Sequence, residues 1–211
     1  MYREQGHAPM NDLLAQLFSS RVRAAVLGHM LTRPHMRFSL TELSRALDLP
    51  VSSLQHECYK LERIGIIMGR REGNSRRYRL DSACLVLPQL SSLVVAAIGQ
   101  AASLRATLQD VAGLEAAFLA KTLPYYEGGD GPASSLSPIP LVLIGEVGLE
   151  EIESAQERVA FLLGLAPSRV EAVFYSPGDW ASRLEQGSQY AVWLINNART
   201  DLVGDPIIPT A

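Results

Sequence analysis

The sequence predicts an α+β protein in two parts: helices followed by a hairpin in the N-terminal portion, and alternating strands and helices in the C-terminal portion, joined by a long helix. Three observations carry this expectation. Apolar residues recur at helical spacing up to Ile64 and then give way to a short strand, tip and strand pattern. Residues 1–81 hold 13 Lys+Arg against 8 Asp+Glu, a net of +5, while residues 82–211 hold 6 against 14, a net of -8, within an overall -3. From residue 114 onward, strand-like runs alternate with helical ones, the pattern of an α/β layer. With 211 residues, 47% hydrophobic and 19% charged, the chain can bury a core, which excludes a disordered, collagenous or disulfide-dense scaffold. The near-apolar stretch Leu85 to Ala102 is broken by Pro88, Gln89, Ser91, Ser92 and Gln100, so no membrane span is expected. The N-terminal residues lack a basic start followed by an apolar run, and the expected location is the cytoplasm. Cys58 and Cys84 stand at no metal-ligand or CxxC spacing and read as buried free thiols.

In the basic part, Asn11 and Ser20 are placed to cap two consecutive helices, the second running from Arg21 to about Thr32 and ended by Pro34. Ser39 with Glu42 fits a capping box opening a helix over 40–47. Asp48, Leu49 and Pro50 turn the chain into a further helix, where Leu54, Cys58, Leu61 and Ile64 share one face and Gly65 supplies the C-cap. Ile66 to Met68, a polar tip around Glu72, Gly73, Asn74 and Ser75, and Tyr78 to Leu80 then read as a β-hairpin.

Helix, turn, helix and basic hairpin, in that order, make a winged helix-turn-helix over residues 11–82. The third helix turns Ser52, Ser53, Gln55, His56 and Lys60 outward, and Gln can pair bidentately with adenine in a major groove. Arg70, Arg71, Asn74, Arg76 and Arg77 crowd the wing, where they would lie over phosphates or enter the minor groove. The expected partner is double-stranded DNA. The plainer alternative is a protein-interaction winged helix with a solvated arginine face. His29 and His35 read as core or loop residues, because no second ligand stands at a usable spacing. Cys58 reads as core, with a redox switch as the alternative.

The segments 17–23, 42–47, 61–67 and 71–78 (Leu17-Phe18-Ser19-Ser20-Arg21-Val22-Arg23, Glu42-Leu43-Ser44-Arg45-Ala46-Leu47, Leu61-Glu62-Arg63-Ile64-Gly65-Ile66-Ile67, Arg71-Glu72-Gly73-Asn74-Ser75-Arg76-Arg77-Tyr78) resemble the ArsR-type winged-helix transcriptional regulators. The resemblance implies DNA binding. The metal sensors among them carry a cysteine pair in the helix corresponding to 40–47; this chain has none there.

From Pro88 to Val111, apolar residues advance by threes and fours through Leu90, Val94, Ile98, Ala101, Leu104 and Leu108. The spacing predicts one helix of about 24 residues, some 36 Å long, within a connecting segment 83–113. In winged-helix regulators such a helix commonly builds a homodimer; the alternative is that it packs on its own domains.

In the acidic part, 114–211, strands are expected over 116–120, 140–147, 170–176 and 200–203, with helices over 149–165, 178–186 and 188–196. The Gly- and Pro-rich stretch 124–138, with Gly128, Gly129 and Gly131, lacks the Lys-Ser/Thr of a P-loop. With Tyr175-Ser176-Pro177-Gly178-Asp179-Trp180-Ala181-Ser182-Arg183-Leu184 near its end, this part resembles the minimal nucleotidyltransferases of the DNA polymerase beta superfamily. An active member has Gly-Ser after the first strand and Ser-Asp-x-Asp entering the second, the carboxylates holding Mg²⁺. Here the first position reads Lys121-Thr122 and the second Ser137-Pro138-Ile139-Pro140. Proline offers no oxygen ligand, and neither Glu146 nor Glu171 rebuilds a pair. The expectation is therefore a non-enzyme without cofactor or metal, its nucleotidyltransferase-like part serving a small-molecule effector or a protein partner. The alternatives are an atypical active nucleotidyltransferase and an antitoxin-like interaction protein. The Glu150, Glu151, Glu153 and Glu157 cluster reads as a solvated helix N-terminal face.

Overall fold

The computed structural model describes residues 10–120 and 138–207, which divide by their contacts into a unit ending at Gln100 and one beginning at Ala101. In the first unit, α1 (Met10–Leu17) and α2 (Arg21–Leu31) lead to the two-residue strand β1 (Phe38–Ser39), then α3 (Leu40–Leu47), α4 (Val51–Arg63), the hairpin β2 (Ile67–Glu72) and β3 (Ser75–Leu80), and α5 (Leu87–Ile98). Local chemistry sets these boundaries. The Ser20 hydroxyl accepts the Arg23 N–H at 3.1 Å. At α3 the capping box closes both ways, Ser39 Oγ accepting the Glu42 N–H at 3.2 Å and Glu42 Oε2 the Ser39 N–H at 2.7 Å. Asp48 takes the left-handed conformation that ends α3, and Ser44 Oγ donates to the Leu49 carbonyl at 2.6 Å, which holds the turn into α4. Asn11 lies inside α1, one residue past its start, rather than ahead of it as a cap.

All three strands run antiparallel in the order β1-β3-β2, Phe38 opposite Tyr78 and Ile67 opposite Leu80. Their inner face closes on Leu27, Met30, Leu31, Leu43, Leu54, Cys58 and Leu61, all 0–1% exposed. His29, half-buried at the edge of this core, packs its ring against Phe38, centroids 4.8 Å apart.

The one long helix expected over 88–111 is two. α5 ends at Ile98; Gly99 sits at φ +96°, a conformation an L side chain rarely adopts; and α6 (Gln100–Leu108) starts afresh. The apolar stripe is divided as well. Leu87, Val94 and Ala97 complete the core of the first unit, and Leu104 and Leu108 are buried in the second. Among the described residues no single helix is long and apolar enough to cross a membrane.

The second unit follows α6 with β4 (Leu114–Ala120), β5 (Ile139–Gly145), α7 (Leu149–Leu163), β6 (Val170–Tyr175), α8 (Pro177–Glu185), α9 (Gln189–Asn196) and β7 (Arg199–Val203). The sheet order is β6-β5-β4-β7, with β5 and β6 parallel across the α7 crossover and the other pairs antiparallel. β5 reads as an unbroken apolar run because both its neighbours are strands and both its faces are covered: Leu141, Val142, Leu143 and Ile144 are fully buried. Gly145, at φ +155°, is required where the chain leaves β5, since a Cβ there would stand 2.1 Å from the Gly113 carbonyl oxygen. Lys121, Thr122, Gly128, Gly129, Gly131 and Ser137 lie outside the described residues.

Candidate nucleic-acid interface

α4 is amphipathic by position. Leu54, Cys58 and Leu61 enter the core, and Ser52, Gln55, His56 and Tyr59 stand exposed at spacings of three, one and three, one stripe along the helix. Ser53 is half-buried at its edge. Ser52, Gln55, His56 and Tyr59, together with Glu62, Arg76 and Tyr78, line an open groove of about 510 Å³ between α4 and the wing. Tyr59 is 61% exposed and went unassigned at the level of sequence. Its position four residues after Gln55 and seven after Ser52 was the signal available.

Lys60 does not stand with that stripe. It is half-buried and bonds Glu57 at 3.1 Å, and Glu57 in turn takes Arg23 of α2 at 2.9 Å. The expectation for Lys60 is an outward side chain facing a partner; α4 itself gives it an intramolecular one, three residues back along the helix. Burial pushes the Glu57 carboxyl up, but hydrogen bonds from Lys60 and Arg23, with their charges, bring it below its ordinary value. Glu42 is also held low, chiefly by the Ser39 backbone N–H and further by Arg77. A carboxyl depressed on folding contributes stability that is complete above its unfolded pKa and drains as pH falls through the folded value. Glu57→Gln should therefore lower the stability of the first unit by about 1–3 kcal/mol at pH 7, through uncompensated Arg23 and Lys60. The gap from wild type should narrow as pH falls below 4.5, the ordinary carboxyl value. Melting temperatures of both proteins from pH 7 to pH 3 check this; parallel curves would remove the ion pair from the account.

The wing turns at Gly73 (φ +59°) and Asn74, between Glu72 and Ser75. Strand register sets Arg70 directly across from Arg77 and Arg71 across from Arg76. Like charges so placed oppose hairpin formation, and two of the four are offset from within. Arg76 bonds Glu62 Oε1 at 2.5 Å and lies 5.7 Å from the Tyr78 ring centroid. The same Glu62 oxygen accepts the Gly69 N–H at 3.0 Å. Gly69 makes room for this arrangement, because a Cβ there would stand 2.5 Å from Arg76 Nε. The Glu62 carboxylate, by hydrogen bond and charge, raises the Arg76 pKa. Arg77 bonds Glu42 at 2.9 Å and the Arg37 carbonyl at 3.1 Å. Arg70, Arg71 and Asn74 are exposed, and neither arginine makes an ion pair among the described residues.

Cys58 is fully buried, and burial with the charges of Glu62 and Glu57 pushes its thiol up to about 12. Such a thiol is neutral and shielded, which argues for packing over redox chemistry.

Element order, sheet and groove together define the first unit as a winged helix-turn-helix. No family model and no curated protein matches the chain. Among solved structures it is similar to reduced HlyU from Vibrio cholerae N16961, at 22% identity and a TM-score of 0.32 over 42% of this chain and 85% of that one. It is also similar to Rv0081 from M. tuberculosis, at 26% identity and a TM-score of 0.30 over 43% of this chain and 86% of that one.

Proposed function

We propose that the chain is a transcriptional regulator that binds double-stranded DNA sequence-specifically as a homodimer, reading bases with α4 and holding phosphates with the wing. One observation carries the reading: an exposed polar stripe of Ser52, Gln55, His56 and Tyr59 lies along a groove whose far wall is an arginine-bearing hairpin. Gln55 is the base reader and Arg70 and Arg71 are the phosphate contacts with charge to give. Arg76 and Arg77 meet a phosphate with their charge already partly answered by Glu62 and Glu42. Leu13 and Leu17 on α1, 58% and 57% exposed, and Leu85 and Val86 ahead of α5, 91% and 51% exposed, support a dimer through this end of the unit.

The second unit is, in this reading, a nucleotidyltransferase-like domain without catalysis, serving a small-molecule effector or a protein partner. Pro140 supports it: the residue is buried in β5, opposite Glu171 of β6, where the resemblance calls for a carboxylate. Pro138, two residues earlier, is equally without an oxygen donor, and the set does not fit Mg²⁺.

Selection from a random duplex pool with the full chain tests the DNA reading. Wild type should enrich one motif, and Gln55→Ala should lose preference at one position per half-site, worth about 1–3 kcal/mol of discrimination, with little change in non-specific affinity. A pool that stays unenriched would sink it; weakening spread evenly over all sequences would remove Gln55 from base readout.

A further inference from the structure

The outer face of the wing holds positive charge that the groove along α4 does not use. Strand alternation sets Arg70 and Glu72 of β2 with Arg77 and Arg79 of β3 on the face away from Tyr78 and Leu80, which are buried. Arg37, just ahead of β1, joins them, since Ser39 pairs with Arg77. These residues line a cleft of about 240 Å³, several waters' worth at about 30 Å³ each.

Its charge is incompletely answered. Glu72 bonds Arg37 at 2.5 Å and lies 3.9 Å from Arg77, whose closer partner is Glu42 at 2.9 Å. Arg70 and Arg79 have no ion pair among the described residues. Four guanidinium groups therefore face two carboxylates, and Arg70 opposes Arg77 across the ladder at a cost to the hairpin. All four cations are arginines, whose planar forks match the oxygens of a phosphate two at a time, where lysines would offer only point charges.

We propose that this cleft is a phosphate-binding site separate from the groove along α4, in which Arg37, Arg70 and Arg79 hold the phosphate and Glu72 competes with it for Arg37. The phosphate comes either from a duplex backbone or from a free phosphate-bearing ligand. The duplex source rests on the DNA reading above; the free source does not.

Inorganic pyrophosphate titrated calorimetrically into the full chain tests the free source. Binding should saturate, weaken at least tenfold in Arg37→Ala/Arg79→Ala, and strengthen several-fold in Glu72→Gln. A purely structural Arg37–Glu72 pair would give no such strengthening. The salt dependence of binding to random-sequence duplex tests the other source: the double variant should lose about 0.9 from the slope for each phosphate contact removed. Arg79→Ala alone, which breaks no ion pair, serves if the double variant fails to fold. Either effect upholds the site and names its source; pyrophosphate binding and salt slope both indifferent to these arginines overturn it. Pyrophosphate binding that depends on them, in a chain that ignores duplex DNA, keeps the site and discards the DNA reading.

Discussion

Arg70→Ala/Arg71→Ala should weaken binding of the full chain to duplex DNA by roughly ten- to a hundredfold near physiological salt, and lower the salt slope by about 1.8. The magnitude follows from their freedom. Arg76 is already bonded to Glu62, and Arg77 to Glu42, so each meets a phosphate with its charge partly answered. Arg70 and Arg71 are exposed and give up no ion pair among the described residues, so their interaction with DNA is reduced by no exchange. Removing Arg76 and Arg77 should accordingly cost less affinity than removing Arg70 and Arg71, although all four carry one charge each. Titrations at three or more salt concentrations give both numbers. Equal losses for the two pairs would show that the internal carboxylates do not hold the wing arginines in solution.

Trp180→Ala should destabilise the second unit by about 3–5 kcal/mol, a large part of a typical domain's 5–15. Trp180 is fully buried; its ring lies 5.0 Å from Tyr175 and 6.3 Å from Phe118 between centroids, and its Nε1–H donates to the Pro206 carbonyl at 2.7 Å. Alanine would leave a cavity among Phe118, Val142, Ile144 and Leu194 and take away that carbonyl's indole donor. Trp180→Phe keeps most of the volume and should cost less, the hydrogen bond's share being about 1 kcal/mol. Trp193, the one other tryptophan of the chain, lies in the same unit and supplies the fluorescence for a urea titration. A midpoint unchanged in Trp180→Ala would mean that this cluster does not hold the unit together.

Much of the first unit was legible in the residues. Ser20 and the Ser39–Glu42 box act through partners three residues away, so their spacing alone announces the helix starts. The hairpin was legible for the same reason, its tip being only Gly73 and Asn74. β1 was not, because two residues become a strand only through a partner forty positions on, Phe38 against Tyr78. In the second unit, expected strands and helices fall within one or two residues of those observed at most ends, since apolar runs such as 141–144 are long enough to identify themselves.

The break at Gly99 escaped the periodicity because the three-and-four spacing of apolar residues runs on through it. Two short helices that bury successive stripes in different cores carry the same pattern as one long helix with one stripe. Only the backbone turn at a positive φ separates them.

By itself the sequence determined the α+β class, the helix and hairpin order, the outward polar stripe at Ser52, Gln55 and His56, and the absence of carboxylates at residues 138 and 140. Each depends on residue identity or on spacing within one element. Tertiary structure alone decided which charges are available. Arg23 of α2 meets Glu57 because α4 packs on α2, and Arg76 meets Glu62 fourteen residues away because the wing folds back over α4. An arginine counts toward binding only after its intramolecular carboxylates are known, and those are brought near by packing that no local pattern encodes.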